Sequence, residues 1–159
     1  MYLINKQQVA EVLQLSIGIQ ENEFKKYINE AEQFDLRKEL KCDALFLDLK
    51  EGTSDSYDLA KVLKPLRYKR NGKTDFHNGI EVALSYLSYA RFIYKSNIRS
   101  TPFGFQKKNN GQSEEITKEE KENLYYHYKG LGLSVLEDVK RYMFCNNYIE
   151  GAVNKHRPS

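Results

Sequence analysis

The chain has no tryptophan, two cysteines, three prolines and three histidines. Each scarcity removes a class of protein. Cys42 and Cys145 lie far apart, too few to staple a secreted scaffold and without metal spacing. Two reduced thiols in a cytosolic protein are expected. His77, His127 and His156 are scattered and belong to no metal-ligand motif. No apolar run approaches the ~20 residues of a membrane helix, and no signal peptide is expected. The formal net charge of +3 is too small for a strong nucleic-acid footprint. P-loop and G-x-G-x-x-G motifs are missing. Gly130, Gly132 and Ser134 fall in a helical pattern too short to cradle a phosphate. Ser85, Ser88 and Ser100 have no G-x-S-x-G context. The expectation is a protein that is not an enzyme and needs no cofactor or metal.

What is plentiful is tyrosine, with 12 residues, and phenylalanine, with 8. Tyrosine suits surfaces that end half-buried, because its ring is apolar and its hydroxyl can stay wet. A chain of 159 residues makes one domain and buries about 70% of its unfolded surface.

Apolar spacing predicts a mainly α protein, a small bundle of four or five helices. Asn5 caps a first helix over 6–14, with Val9, Val12 and Leu13 inward and Gly18 as a break. A second runs over 23–33 through Phe24, Tyr27, Ile28 and Ala31, and its pattern can continue through Phe34, Leu36 and Leu40. Residues 42–49 are densely apolar without β-branching, which favours helix over strand. A short helix over 56–64 is stopped by Pro65. The stretch 78–97 is apolar on more than one side. Ile80, Leu84, Leu87, Arg91 and Tyr94 make one face, and Tyr86, Tyr89 and Phe92 or Ile93 a second. Such a helix is central, with neighbours on both sides. Thr117 and Glu120 fit a capping box opening the longest helix, 118–144. Its expected core stripe is Leu124, Tyr128, Leu131, Val135, Val139 and Tyr142, with Gly130 and Gly132 permitting close contact or a kink.

Three segments fall outside the bundle. Residues 64–73 are basic. Arg67, Lys69 and Arg70 are candidates for nonspecific contact with DNA phosphates, and Asn71-Gly72 marks a turn. The polar flanks favour a loop, or at most a small ribbon between Leu66 and Phe76. Residues 98–112 form an extended excursion, since Pro102 holds Thr101 extended. There Arg99, Phe103, Phe105, Lys107 and Lys108 are candidates for a subunit or ring interface. From residue 146 the helical signal fades. The domain is expected over 1–145, with an extended C-terminal arm over 146–159. Tyr148, Ile149, Val153 and Arg157 of that arm are candidates for binding a neighbour.

Residues 79–116 combine an Ala/Tyr/Leu-rich helix with RFIYKSNIRSTPFGFQKKNNGQSE. They resemble a family of small neck proteins from Bacteroidetes phages and prophages, including crAss-like phages. The matching residues are Thr101, Gly104, Phe105, Lys107 or Lys108, and Ser113. Phe24, Ile28 and Ala31, followed by Asp35 to Leu40, are similar to the opening helices of that family, so the likeness spans 20–145. The family looks like the head–tail connector (adaptor) proteins of tailed phages. The resemblance implies a homo-oligomeric ring, usually twelvefold, beneath the portal, a structural virion protein at the neck assembled in the host bacterial cytoplasm. It implies that the C-terminal arm reaches the portal or a neighbouring subunit. Its implied partners are other copies of itself, the portal and the next tail or neck ring protein, with DNA in the channel as a nonspecific contact and no membrane. The basic 64–73 segment departs from compact adaptors. The alternative is a small basic helical DNA-binding or regulatory protein, consistent with a pI of 8.7. A stable monomer that shifts DNA in a gel separates the two.

Overall fold

The computed structural model describes residues 1–15, 19–95, 107–109, 112–114 and 117–149, with backbone pairing alone for 107–109 and 112–114. The fold is a mainly α bundle with a short antiparallel ribbon at its side.

Helix α1, Lys6–Val12, opens on a reciprocal cap: the Asn5 side chain accepts from the Gln8 N–H and the Gln8 side chain accepts from the Asn5 N–H, both at 2.9 Å. Helix α2, Glu21–Glu30, buries Phe24, Tyr27 and Ile28. The helical path runs on to Leu40, as the continued apolar pattern allows. The chain continues as a π-helix, Ala31–Leu36, and then as α3, Arg37–Leu40. The wider π-turn leaves both Glu32 and Asp35 buried. Glu32 accepts from the Leu3 N–H at 2.6 Å and pairs with Lys50, so it ties the N-terminus to the next helix. That helix, α4, Asp43–Glu51, is the apolar run 42–49 read as helix, with Leu45, Phe46 and Leu49 buried.

Helix α5 is shorter than expected, Ala60–Leu63. The reason is local. Ser54 accepts from the N–H groups of Ser56 and Tyr57 at 3.2 and 3.0 Å while donating to Asp48 at 2.6 Å. Backbone donors engaged by a serine hydroxyl are withdrawn from the helix. Residues 66–77 form a ribbon rather than a loop. Strand β1, Leu66–Arg70, pairs with β2, Lys73–His77, around Asn71 and Gly72 at φ 52 and 77. Positive φ at both turn residues matches the right-handed twist of a hairpin.

Helix α6, Ile80–Lys95, is the central helix. Ile80, Ala83, Leu84, Leu87, Ala90 and Ile93 are buried, and so are Ser85, Ser88, Tyr89 and Phe92 on the other sides. It packs against α1, α2, α5, the π-turn and the last helix. Its expected first face fails at the C-terminal end, where Tyr94 is exposed. A short pair, β3 Lys107–Asn109 and β4 Gln112–Glu114, precedes that last helix. Helix α7, Lys118–Cys145, begins at the expected box: Thr117 accepts from the Glu120 N–H at 3.1 Å and Glu120 accepts from the Thr117 N–H at 2.9 Å. Its buried line is Gly132, Leu136, Val139, Tyr142 and Met143. The expected stripe is therefore corrected: Leu131 is 37% exposed, and Gly132 takes the inward place beside it. A glycine carries no hydropathy signal, so apolar spacing assigns the position to its bulkier neighbour.

Candidate interaction surfaces

One end of the bundle gathers exposed aromatic rings and cations. Phe34 on the π-turn is 62% exposed, Tyr94 on α6 48% and Tyr126 on α7 67%. The link between them is Arg91. Its guanidinium donates to both oxygens of Asp35, at 2.7 and 3.0 Å, approaches Glu30 at 3.4 Å and lies 5.7 Å from the Phe34 ring centre. Hydrogen bonding to Asp35 raises the Arg91 pKa despite the opposing effect of burial. Lys95 shares Glu30 at 2.7 Å. The Tyr94 ring sits 5.0 Å from Tyr125, which lies 5.2 Å from Tyr126. Lys129 donates to the Tyr125 hydroxyl at 3.2 Å. Exposed aromatics interleaved with arginine match the composition of protein contact surfaces. Apolar spacing reads Phe34, Arg91 and Tyr94 as parts of inward faces, and the structure corrects Phe34 and Tyr94 to exposed. Along the π-turn and α3, Leu36 and Leu40 turn inward while Phe34 turns out, and Tyr126 lies off the expected stripe of α7.

The second surface is the ribbon. Its two faces differ because side chains alternate and opposite residues share a face. The inner face carries Leu66, Tyr68 and His77 against α7, with the Tyr142 ring 4.9 Å from Tyr68 and 5.2 Å from His77. The outer face pairs Arg67 with Phe76 and Lys69 with Thr74. Of the three candidate phosphate contacts, the structure keeps Arg67 and Lys69 together and separates Arg70. That side chain is engaged with Asp75 at 2.7 Å. Burial pushes the Tyr68 hydroxyl up to about 12. His77 is fully buried with neither ring nitrogen hydrogen-bonded, and burial lowers its pKa.

Tyr148 and Ile149, expected in the C-terminal arm, pack against the bundle. Tyr148 packs on its own chain, its ring 5.2 Å from Tyr57 and 5.7 Å from Tyr142, and its hydroxyl accepts from the Asp58 N–H at 3.3 Å. Ile149 is half-buried against the same core. Both belong to the edge of the bundle, because an aromatic pocket is already waiting between the 52–58 loop and α7. Val153 and Arg157 lie outside the described residues, as do Arg99, Phe103 and Phe105 of the excursion. Lys107 and Lys108 fall on β3.

Among the described residues, no group of histidine, cysteine, aspartate and glutamate has the arrangement of a metal site. Cys42 is half-buried and Cys145 exposed, both as free thiols. No described helix is long and apolar enough to cross a membrane.

A family model described as "Family of unknown function (DUF6712)" matches residues 35–157, more than half of the chain, and the chain belongs to that family. The match begins inside the π-turn and carries through the ribbon, α6 and α7. No curated protein and no solved structure matches the chain.

Proposed function

We propose that the protein is a structural subunit of a head–tail connector ring, seated beneath the portal of a tailed bacteriophage and joining capsid to tail. Copies associate head to tail, and the rotation between them sets the number at which the ring closes. The portal lies on one side and the next neck or tail ring protein on the other. Assembly takes place in the host bacterial cytoplasm and places the protein at the virion neck. No catalytic step forms part of this role.

The observation that carries the proposal is the exposed surface around Arg91. Phe34, Tyr94 and Tyr126 stand 48–67% exposed, on elements whose buried faces are already filled. Leaving three large rings in water has a cost that a partner surface recovers, at about 25 cal/mol per Å² of apolar area covered. Support also comes from continuity along the chain. Tyr94 lies on the helix that bears the resemblance to phage neck proteins, and the residues expected to reach a neighbour follow directly after it.

Light scattering on the eluting protein, with and without portal, tests the proposal. The wild type is expected as an oligomer alone or on addition of portal. A Phe34→Ser/Tyr94→Ser/Tyr126→Ser variant is expected to stay monomeric with an unchanged melting temperature. A wild-type monomer that ignores portal at every concentration contradicts the proposal.

A further inference from the structure

The ribbon, residues 66–77, carries four cations (Arg67, Lys69, Arg70 and Lys73) and one carboxylate (Asp75). Its net +3, four minus one, equals the formal charge of the whole chain, so the remaining residues sum to zero. The carboxylate is engaged by Arg70 at 2.7 Å. Just before the ribbon, Lys64 is neutralised by Glu81 at 2.6 Å. Arg67, Lys69 and Lys73 make no ion pair among the described residues. The excess charge of the protein is thus concentrated on one small element.

That element is held firmly. Its inner face is fixed to α7 through Tyr68, His77 and Tyr142, and Lys69 donates across the strands to Thr74 at 2.8 Å. The cations stand on paired strands rather than on a free loop, so less ordering remains to be done on binding. Beside Arg67, directly across the pair, Phe76 is 44% exposed.

We propose that the outer face of this ribbon binds the phosphate backbone of nucleic acid without reading its sequence. Arg67 and Lys69 are two residues apart on one strand, roughly 7 Å, and flexible enough to reach nearby phosphates of one backbone. The guanidinium of Arg67 suits phosphate oxygens in bidentate fashion. The Phe76 ring offers an apolar contact to sugar, or a stacking platform where a base is unpaired. An acidic protein segment is the competing partner of the same charge. Such segments bind through side-chain anchors seated in pockets, whereas Phe76 projects from this face. A nucleic-acid backbone repeats its charge along the whole axis, so it engages the two cations of this face, Arg67 and Lys69, in any register. The inference does not depend on ring formation.

The test is fluorescence anisotropy of the full chain with a short labelled duplex of mixed sequence, titrated at stepped salt. Two phosphate contacts predict a slope of about −1.8 in log K against log salt, and equal affinity for a duplex of scrambled sequence. Arg67→Glu/Lys69→Glu is expected to weaken binding at low salt by more than about tenfold, with an unchanged melting temperature. Arg67→Gln/Lys69→Gln serves as the milder pair should the charge reversal disturb folding. Arg70→Gln is expected to matter less, because Asp75 already engages that charge. Absence of salt-sensitive binding, full binding by either double variant, or preference for polyglutamate over the duplex each overturns the proposal.

Discussion

A Cβ atom built on Gly132 of α7 would stand 2.6 Å from the Leu87 Cγ atom of α6 and 3.0 Å from the carbonyl oxygen of Ala83. The two longest helices therefore touch where one of them has no side chain. Nothing lies within 4 Å of the equivalent point on Gly130. The pair of glycines makes a matched experiment. Gly130→Ala is expected to stabilise by up to about 1 kcal/mol through helix propensity. Gly132→Ala gains the same propensity but overpacks the crossing, at a cost of about 1–3 kcal/mol, and is expected to destabilise. Urea unfolding of both variants checks this, and shifts of the same sign would contradict the close crossing.

Leu87 and Leu131 both look like core residues by spacing, yet their burial differs: 1% against 37% exposed. Leu87→Asp places an unpaired carboxylate in the core and is expected to abolish cooperative folding. Leu131→Asp is expected to change stability by less than about 0.5 kcal/mol. Circular dichroism melts of the two proteins measure the contrast.

Arg91 and Asp35 have side chains only 15% and 9% exposed, so the pair is largely withdrawn from water. Removing one partner leaves the other charge uncompensated. Arg91→Ala is expected to cost about 3 kcal/mol. Arg91→Lys cannot restore the two-pronged contact and should recover only part of that loss. Arg91→Met combined with Asp35→Leu removes both charges and is expected to be milder than Arg91→Ala alone. Denaturant midpoints at neutral pH rank the three variants, and a double variant worse than the single would contradict the pairing.

His77 sets a pH dependence. Burial holds its pKa below the ordinary value of 6.5, only partly offset by the Lys61 backbone and the Asp138 and Asp75 carboxylates. The unfolded chain therefore binds a proton that the folded chain refuses. Stability contributed in this way is fully present above 6.5 and falls as the pH drops below it. Asp75 acts in a separate window. Its carboxyl is held below 3.8, first by the Phe76 N–H and then by Arg70, so its contribution disappears only in stronger acid. His77→Phe is expected to flatten the decline below 6.5 and leave the acid limb in place. Melting temperatures across the mildly acidic range read the difference.

Much of the bundle is legible in the sequence. The Asn5 and Thr117 caps, the helical reading of 42–49 and the two-sided burial of α6 follow from capping residues and apolar spacing, which act over a few neighbouring positions. What stays hidden depends on partners far away along the chain. The ribbon reads as polar because its outward residues are Arg67, Lys69 and Thr74, while its inward ones wait for Tyr142 on α7. The shift of the α7 stripe from Leu131 to Gly132 is invisible because a close helix approach is written in the absence of a side chain. Of the candidate sites, Arg67 and Lys69 stand where an exposed role requires. Tyr148 instead packs at the edge of its own bundle. The surface around Arg91 is misread because spacing counts Phe34 and Tyr94 as inward, whereas the structure leaves both exposed beside Tyr126.

Imaging of virion necks labelled for this protein decides whether it is a connector subunit. Purified particles decorated with a specific antibody, viewed at low resolution, are expected to show label as a collar at the junction of head and tail. Particles that carry no label, with the protein left in the soluble fraction of the infected cell, would contradict the proposed role.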